Sequence, residues 1–258
     1  MHNLFSFQRF GRLFRKHTAE HLREYLMGAA VLFGGILVLM LALSLLQGGS
    51  MNADVQTIFF VVFLLGAGTF FTSTIFQQFG SKNRAIAAFC LPASTLEKYL
   101  VGWLYSFVLF VLVYVPVFYL ANGIVLLLFN TQENYHEAVG LFSAEHRPYS
   151  AFYIYAALHA VTLVGAIAFE KAHFVKTAFV FFGMLGVLTV LNFQVLKTVF
   201  GQELALSFPF NDLRFSTPHS FYTVGLPDNQ TQWVGLVFAV LTGLFWAAAY
   251  ARLREKQV

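Results

Sequence analysis

Long uncharged apolar runs alternate with short polar segments along this chain of 258 residues. About 20 apolar residues are enough for a helix to cross the roughly 30 Å hydrocarbon layer of a bilayer. The pattern predicts six such spans, at about 25–46, 57–76, 94–129, 151–169, 178–199 and 233–250. Because a backbone in lipid must satisfy its own hydrogen bonds, we expect an all-α, polytopic integral membrane protein with a single transmembrane domain over 1–258.

The third run is longer than a bilayer requires. A helix rises 1.5 Å per residue, so a helix over 94–129 exceeds the hydrocarbon thickness. Either this helix projects beyond the membrane, or it breaks near Pro116 or Asn122-Gly123. Two polar segments, 130–150 and 201–232, follow the third and fifth spans.

Lysine and arginine are distributed unevenly between the two ends of the predicted spans. Thirteen of the sixteen lie at one end. They are Arg9, Arg12, Arg15, Lys16, Arg23, Lys82, Arg84, Lys98, Lys171, Lys176, Arg252, Arg254 and Lys256. Because cations collect in cytoplasmic loops, we expect both termini and the connections 2–3 and 4–5 to be cytoplasmic.

Composition narrows the function classes. The chain is 58% hydrophobic and only 11% charged, whereas a soluble domain carries about 25% charged residues. The lone cysteine, Cys90, allows neither a disulfide within the chain nor a Cys/His metal cluster. The basic residues flank apolar runs and form no separate domain, so we expect no nucleic-acid partner.

Residues 4–23 show the pattern of a helix that lies in the headgroup layer. The apolar rings of Phe7, Phe10 and Phe14 share one helical face, and cations project around the other side. These cations are Arg12, Arg15 and Lys16. We expect an amphipathic interfacial helix in contact with membrane lipids, and the alternative is a plain basic tail.

The connection between spans 2 and 3 contains several residues that predict where helices begin and end. Its sequence, residues 79–100, is F-G-S-K-N-R-A-I-A-A-F-C-L-P-A-S-T-L-E-K-Y-L. Gly80 is expected to end the preceding helix, and a short surface helix over 82–89 would then stop before Pro92. Ser94 and Glu97 have the spacing of a capping box that starts span 3.

Few residues within the spans could carry protons or take part in catalysis. His159 is the one mid-span candidate for a proton carrier, and a hydrogen-bonded packing role is the more common one for such a histidine. There is no nucleotide-binding or hydrolase motif, so we expect no enzyme activity, cofactor or metal. Small and polar residues line one face of span 2, and that face would form either a transport path, a dimer seam or an ordinary packing surface. They are Gly66, Gly68, Thr69, Thr72 and Ser73.

The order of these parts resembles the permease subunit of a type-2 ABC exporter. That family has six spans, cytoplasmic ends, an elbow helix before span 1, a coupling helix between spans 2 and 3, and an outer segment between spans 5 and 6. The 79–100 stretch resembles the loop 2–3 of ABC permease-like membrane proteins from Bacteroidetes. The loop F-E-K-A-H-F-V-K-T, residues 169–177, is similar to their loop 4–5.

The resemblance implies an exporter permease in the bacterial inner membrane that is energised by a separate ABC ATPase subunit. The chain would pair with a second copy of itself or with a homologous permease. Docking on the ATPase would fall to Lys82, Arg84, Ile86 and Phe89, while Glu97 and Lys98 would fix the angle of span 3. The alternative function is a non-transporting membrane scaffold, sensor or assembly protein.

Overall fold

The computed structural model describes residues 5–80, 93–132, 134–169, 172–200, 213–217, 220–225 and 228–255. The helices are α1 (Phe7–Gln47), α2 (Ala53–Gly80), α3 (Thr95–Trp103), α4 (Phe110–Phe129), α5 (Ser150–Ala168), α6 (His173–Phe200) and α7 (Asp228–Glu255). A π-helix, Leu104–Leu109, joins α3 to α4, and we refer to these three elements together as the third span. Strands β1 (Leu213–Thr217) and β2 (Ser220–Val224) form an antiparallel hairpin between α6 and α7.

Six helical segments within the described residues are long and apolar enough to cross a membrane. They correspond in order to the six predicted spans, and the third span counts as one of them. The predicted all-α, multi-pass membrane fold is therefore confirmed, and the short β-hairpin is an addition to it.

The structure differs from the sequence prediction at its N-terminal part. The predicted interfacial helix over 4–23 is not a separate element, because α1 runs unbroken from Phe7 to Gln47. Between 19 and 27 the chain has no proline, glycine or small capping residue that would stop a helix. The 41 residues of α1 extend about 60 Å, twice the hydrocarbon thickness. One end of α1 therefore projects beyond the membrane.

The third span also projects, and it does so without the break considered near Pro116 or Asn122. Both residues lie inside the continuous helix α4. The irregularity comes earlier, at the π-helix Leu104–Leu109. The third span runs beside α1: the rings of Phe14 and Tyr105 are 4.9 Å apart, and α1 also packs along α4.

The two ends of the bundle differ in charge. The basic end holds the starts of α1, α3 and α6 and the ends of α5 and α7. The far end holds the α1–α2 turn and the segment 130–149. At the α1–α2 turn, Gly48 adopts a φ of 70°, the left-handed conformation that favours glycine, and its N–H bonds to the carbonyl of Ser44.

The buried core is divided between these ends. Toward the far end, α1, α2, α4 and α5 enclose the rings of Phe60, Tyr114, Phe118 and Tyr155. Toward the basic end, a second cluster joins α2, α3, α5 and α7 around Phe76, and the start of α1 packs against it. Helix α5 is central to both clusters, because it packs against α2, α6 and α7.

Candidate functional site

Glu97, in the first turn of α3, is a fully buried carboxylate at the basic end. Its Oε1 accepts hydrogen bonds from the backbone N–H of Ser6 at 2.8 Å, from Arg9 Nε at 3.3 Å and from Arg9 Nη2 at 3.2 Å. Its Oε2 accepts from the backbone N–H of Ser94 at 2.9 Å. A carboxylate has only acceptor sites, so these donors match it and offset the cost of burying its charge.

The capping box predicted at this point is present. The Ser94 hydroxyl accepts from the backbone N–H of Glu97 at 3.2 Å, while Glu97 reaches back to the Ser94 N–H. The local sequence therefore starts α3, and the contacts with Ser6 and Arg9 tie that start to α1, some 90 residues earlier in the chain. We call this arrangement the Glu97 junction: Ser6, Arg9, Ser94 and Glu97.

The residues expected to dock an ATPase separate into two groups. Glu97 and Lys98 are buried, with 0% and 5% of their surface exposed, so neither presents a charged surface to a partner. Glu97 instead fixes the position of α3 relative to α1. Lys82, Arg84, Ile86 and Phe89 lie outside the described residues, as does the predicted short helix over 82–89. Helix α2 ends at Gly80, as the sequence predicts.

The apolar face at the start of α1 packs partly against other helices of the chain and is partly exposed. Phe10 and Phe14 are partly buried against the basic-end cluster, and Phe14 packs on Tyr105. Phe7 is 82% exposed. This corrects the expectation that all three rings face lipid, because the third span projects beside α1 and covers that face.

The cations of this segment point outward. Arg12, Arg15 and Lys16 are exposed, and Lys16 pairs with Glu20 at 3.7 Å. On the protein-facing side of the same turns, His17 Nε2 lies 2.6 Å from the Tyr25 hydroxyl, and Thr18 shares a hydrogen bond with the Tyr105 hydroxyl.

His159, on α5, lies at a junction of three spans and is fully buried. The indole N–H of Trp246 on α7 donates to His159 Nδ1 at 3.1 Å. In the neutral ring the proton then resides on Nε2, which lies 2.9 Å from the Ser106 hydroxyl oxygen and donates to it. The Ser106 hydroxyl donates in turn to the carbonyl of Gly102 at 2.8 Å.

This Ser106–His159 pair is a structural contact. A serine nucleophile needs a histidine nitrogen that accepts its proton, whereas the nitrogen facing Ser106 already carries one. The hydrogen-bonded packing role that the sequence favoured for His159 agrees with this geometry. Sequence reasoning missed Ser106 and Trp246, because they lie far from His159 along the chain and no pattern indicates that they contact it.

Ser106 also belongs to the π-helix. Its carbonyl oxygen accepts a hydrogen bond from the Tyr155 hydroxyl at 2.6 Å. Tyr155 and His159 are four residues apart on α5 and so lie on one face of that helix. Two side chains of α5 therefore contact the same residue of the third span.

The small, polar face predicted on α2 is largely occupied within this chain. Gly68, Thr72 and Ser73 are buried, and a Cβ added to Gly68 would overlap the Tyr155 ring. Gly66 is exposed and Thr69 is half-buried. The structure thus uses the inner part of the face for packing between α2 and α5, and leaves only Gly66 and Thr69 near the surface.

Gln56 organises the far end, and sequence reasoning did not single it out. The side chain is fully buried, and both the nitrogen and the oxygen of its amide form hydrogen bonds. Nε2 donates to the carbonyls of Met51 at 2.9 Å and Glu137 at 3.1 Å, while Oε1 accepts from Asn122 Nδ2 and from the Val139 N–H, both at 2.9 Å. In the sequence, Gln56 could have been identified only as a polar residue at the edge of an apolar run.

These bonds fix the segment 130–149 onto the helix ends. Tyr119 donates to the carbonyl of Val139 at 2.9 Å, and His146 Nδ1 lies 3.1 Å from an Asp54 carboxylate oxygen. The described part of this segment is therefore a structured cover over α2 and α4.

No protein-family model, no curated protein and no solved structure matches this chain.

Proposed function

We propose that this chain is the membrane-spanning permease subunit of an ATP-driven exporter. The observation that carries the proposal is the Glu97 junction. At the basic end, Glu97 ties the start of α3 to Ser6 and Arg9 of the α1 region. Because α3 is held against the α1 region, a partner that docks on the segment before α3 would transmit force to both helices.

The charge distribution supports an orientation for this arrangement. The basic end would face the cytoplasm of a bacterial inner membrane, since cations collect on that side. An ABC ATPase would dock on residues 79–98, with Lys82, Arg84, Ile86 and Phe89 as its contacts. Nucleotide binding and hydrolysis would occur in that subunit, because the chain has no nucleotide motif of its own.

The sparse packing of α6 leaves room for a second permease. Most of its large side chains are exposed, among them Phe179 at 80% and Val199 at 68%. In the proposed complex a second copy of this chain, or a homologous permease, covers part of this surface, and membrane lipids cover the rest.

The test is a pull-down of the chain from native membranes in a mild detergent, followed by identification of the bound proteins. Lys82→Glu/Arg84→Glu reverses two charges in the docking segment. Arg252→Glu/Arg254→Glu is the matched control, because it reverses two exposed charges at the same end on α7. We expect an ABC ATPase with the wild type and the control, and its loss from the first variant.

Two results would contradict the proposal. One is that no ATPase accompanies the wild-type chain under conditions in which a known exporter from the same membranes retains its own. The other is that both double variants lose the ATPase equally, which would indicate a general charge effect and no docking at 79–98.

One observation favours the second candidate, a non-transporting scaffold, sensor or assembly protein. The seam between α2 and α5, which the sequence suggested as a path, is filled by the ring of Tyr155 against Gly68. A scaffold would require no path. In that case the pull-down would recover partners other than an ATPase, and substitutions in the 130–149 cover would release them.

A further inference from the structure

We propose that the 130–149 cover contacts the lipid headgroups of the far leaflet through three aromatic residues, while its charged side chains extend into water. The three are Phe142 and Tyr149 of the cover and Tyr153 in the first turn of α5, and we call them the aromatic edge. Phe142 is 81% exposed and Tyr153 is 74% exposed. Exposed apolar groups that lie together mark a contact surface, whereas scattered ones do not.

The three rings of the aromatic edge form one continuous surface. The rings of Phe142 and Tyr149 are stacked, with their centroids 6.3 Å apart. Tyr149 has helical backbone angles directly before Ser150, the first residue of α5. Tyr149 and Tyr153 are four residues apart, so they lie on one helical face. The aromatic edge therefore runs from the cover onto the exposed side of a helix that can cross the membrane.

The length of α5 places the aromatic edge at the boundary of the membrane. Helix α5 has 19 residues. At 1.5 Å per residue it is about 28 Å long, close to the roughly 30 Å hydrocarbon layer, so its two ends must lie at the two boundaries of that layer. Tyr149 at the far end of α5, and Phe142 stacked on it, are then at the level of the headgroups. Tyr153 lies about one turn deeper.

Phe142 is exposed although the chain around it is held in place. Val139 is buried, its N–H donates to Gln56 Oε1 at 2.9 Å, and its carbonyl accepts from the Tyr119 hydroxyl at 2.9 Å. Leu141 packs against the core cluster at the far end. The next residue, Phe142, is thus directed away from the core by a backbone that is bonded to the helix ends.

The chemistry of this surface suits a lipid boundary. Tyrosine is enriched at membrane–water boundaries, because its ring is apolar and its hydroxyl reaches polar groups. The charged residues Glu137, Glu145 and Arg147 of the cover are exposed as well, and such groups avoid the hydrocarbon layer. The inference concerns the end of the bundle opposite to residues 79–98, so it goes beyond the proposed function and stands or fails separately from it.

The test is site-directed spin labelling of the chain in vesicles of phosphatidylethanolamine and phosphatidylglycerol. Cys90→Ser removes the native thiol. Phe142→Cys places a nitroxide on the aromatic edge, and Glu145→Cys is the matched control, because it lies three residues away in the same cover and is equally exposed. Leu127→Cys, exposed near the far end of α4, provides the reference for lipid contact. Power saturation compares the collisions of each label with oxygen, which concentrates in lipid, and with a water-soluble nickel chelate.

We expect the ratio of oxygen to nickel collisions at 142 to be several-fold higher than at 145 and close to that at 127. Tyr153→Cys leaves Phe142 and Tyr149 in place, and its label should give a ratio at least as high as that at 142. The proposal is overturned if the label at 142 behaves like that at 145, which would place the edge in water. It is also overturned if the labels at 142 and 153 are shielded from both reagents, which would mean that a protein surface covers them.

Discussion

Helices α5 and α6 are neighbours in the chain and both are apolar enough to cross a membrane, yet they are packed very differently. Half of the most apolar window of α5 is buried, compared with 11% of that of α6. Helix α5 carries Tyr155, His159 and Gly165 on its contact faces, whereas α6 beyond Thr177 presents mainly valine, leucine and phenylalanine. The difference shows that hydropathy alone does not decide how closely a helix is packed, and that α5 makes close contacts through small and polar residues such as Gly165 and His159.

The largest expected effect lies where α2 meets α5. Gly68→Ala places a methyl group against the Tyr155 ring and 2.9 Å from that of Phe110, and overpacking of this kind costs about 3 kcal/mol. Gly66→Ala, two residues earlier, meets no described atom within 4 Å and should gain about 0.8 kcal/mol from helix propensity. Unfolding by sodium dodecyl sulfate in mixed micelles measures both. Equal stability of the two variants would contradict the α2–α5 contact.

The next effect compares α5 and α6 directly. Leu163 on α5 is fully buried, and Leu188 on α6 is 47% exposed. Leu163→Ala should cost about 2 kcal/mol, because it leaves a cavity in the packed core. Leu188→Ala should cost almost nothing, since lipid replaces the lost contacts. The same unfolding titration gives both values. A loss at Leu188 close to that at Leu163 would mean that another chain covers α6.

The Glu97 junction should show an intermediate effect. Glu97→Gln keeps the size of the side chain but removes the charge that holds Arg9, and we expect a loss of about 1.5 kcal/mol. Glu20→Gln is the control, because Glu20 forms an exposed pair with Lys16 and such pairs contribute only a few tenths of a kcal/mol. Limited proteolysis near residue 6 measures release of the α1 start. Unchanged cleavage in Glu97→Gln would exclude the junction as its anchor.

The smallest effect concerns the exposed side of α6. A methyl group added at Gly183 would have no heavy atom of the described residues within 4 Å, so Gly183→Ala meets no obstacle among them. Alanine has a higher helix propensity than glycine, and we expect a gain of about 0.8 kcal/mol in the unfolding titration. If α6 associates with a second copy at this point, the same variant would lower the dimer fraction measured by light scattering.

Much of the fold could be predicted because its signals are local. Six apolar runs give six spans, and the pair Ser94 and Glu97 gives the start of α3. The continuity of α1 was missed, although the absence of any stop signal between 19 and 27 points to it. The prediction of an interfacial helix relied on the rings of Phe10 and Phe14, which would suit lipid or protein equally well.

The candidate site was harder to predict because its contacts join distant residues. Arg9 and Glu97 are 88 residues apart, and nothing in either neighbourhood specifies the other. The π-helix has neither proline nor glycine in its own sequence, and Tyr155 and His159, which bond to its Ser106, come from another helix. The roles of Lys82, Arg84, Ile86 and Phe89 stay predictions.

Gln56 has a consequence for how the chain is made. Two of its four hydrogen-bond partners, Glu137 and Val139, are synthesised about 80 residues after it. Until that later segment has been synthesised, the amide of Gln56 can bond only to Met51 and Asn122. Assembly therefore has an order: α2 is made first, and its far end is fully hydrogen-bonded only after the 130–149 cover has been added.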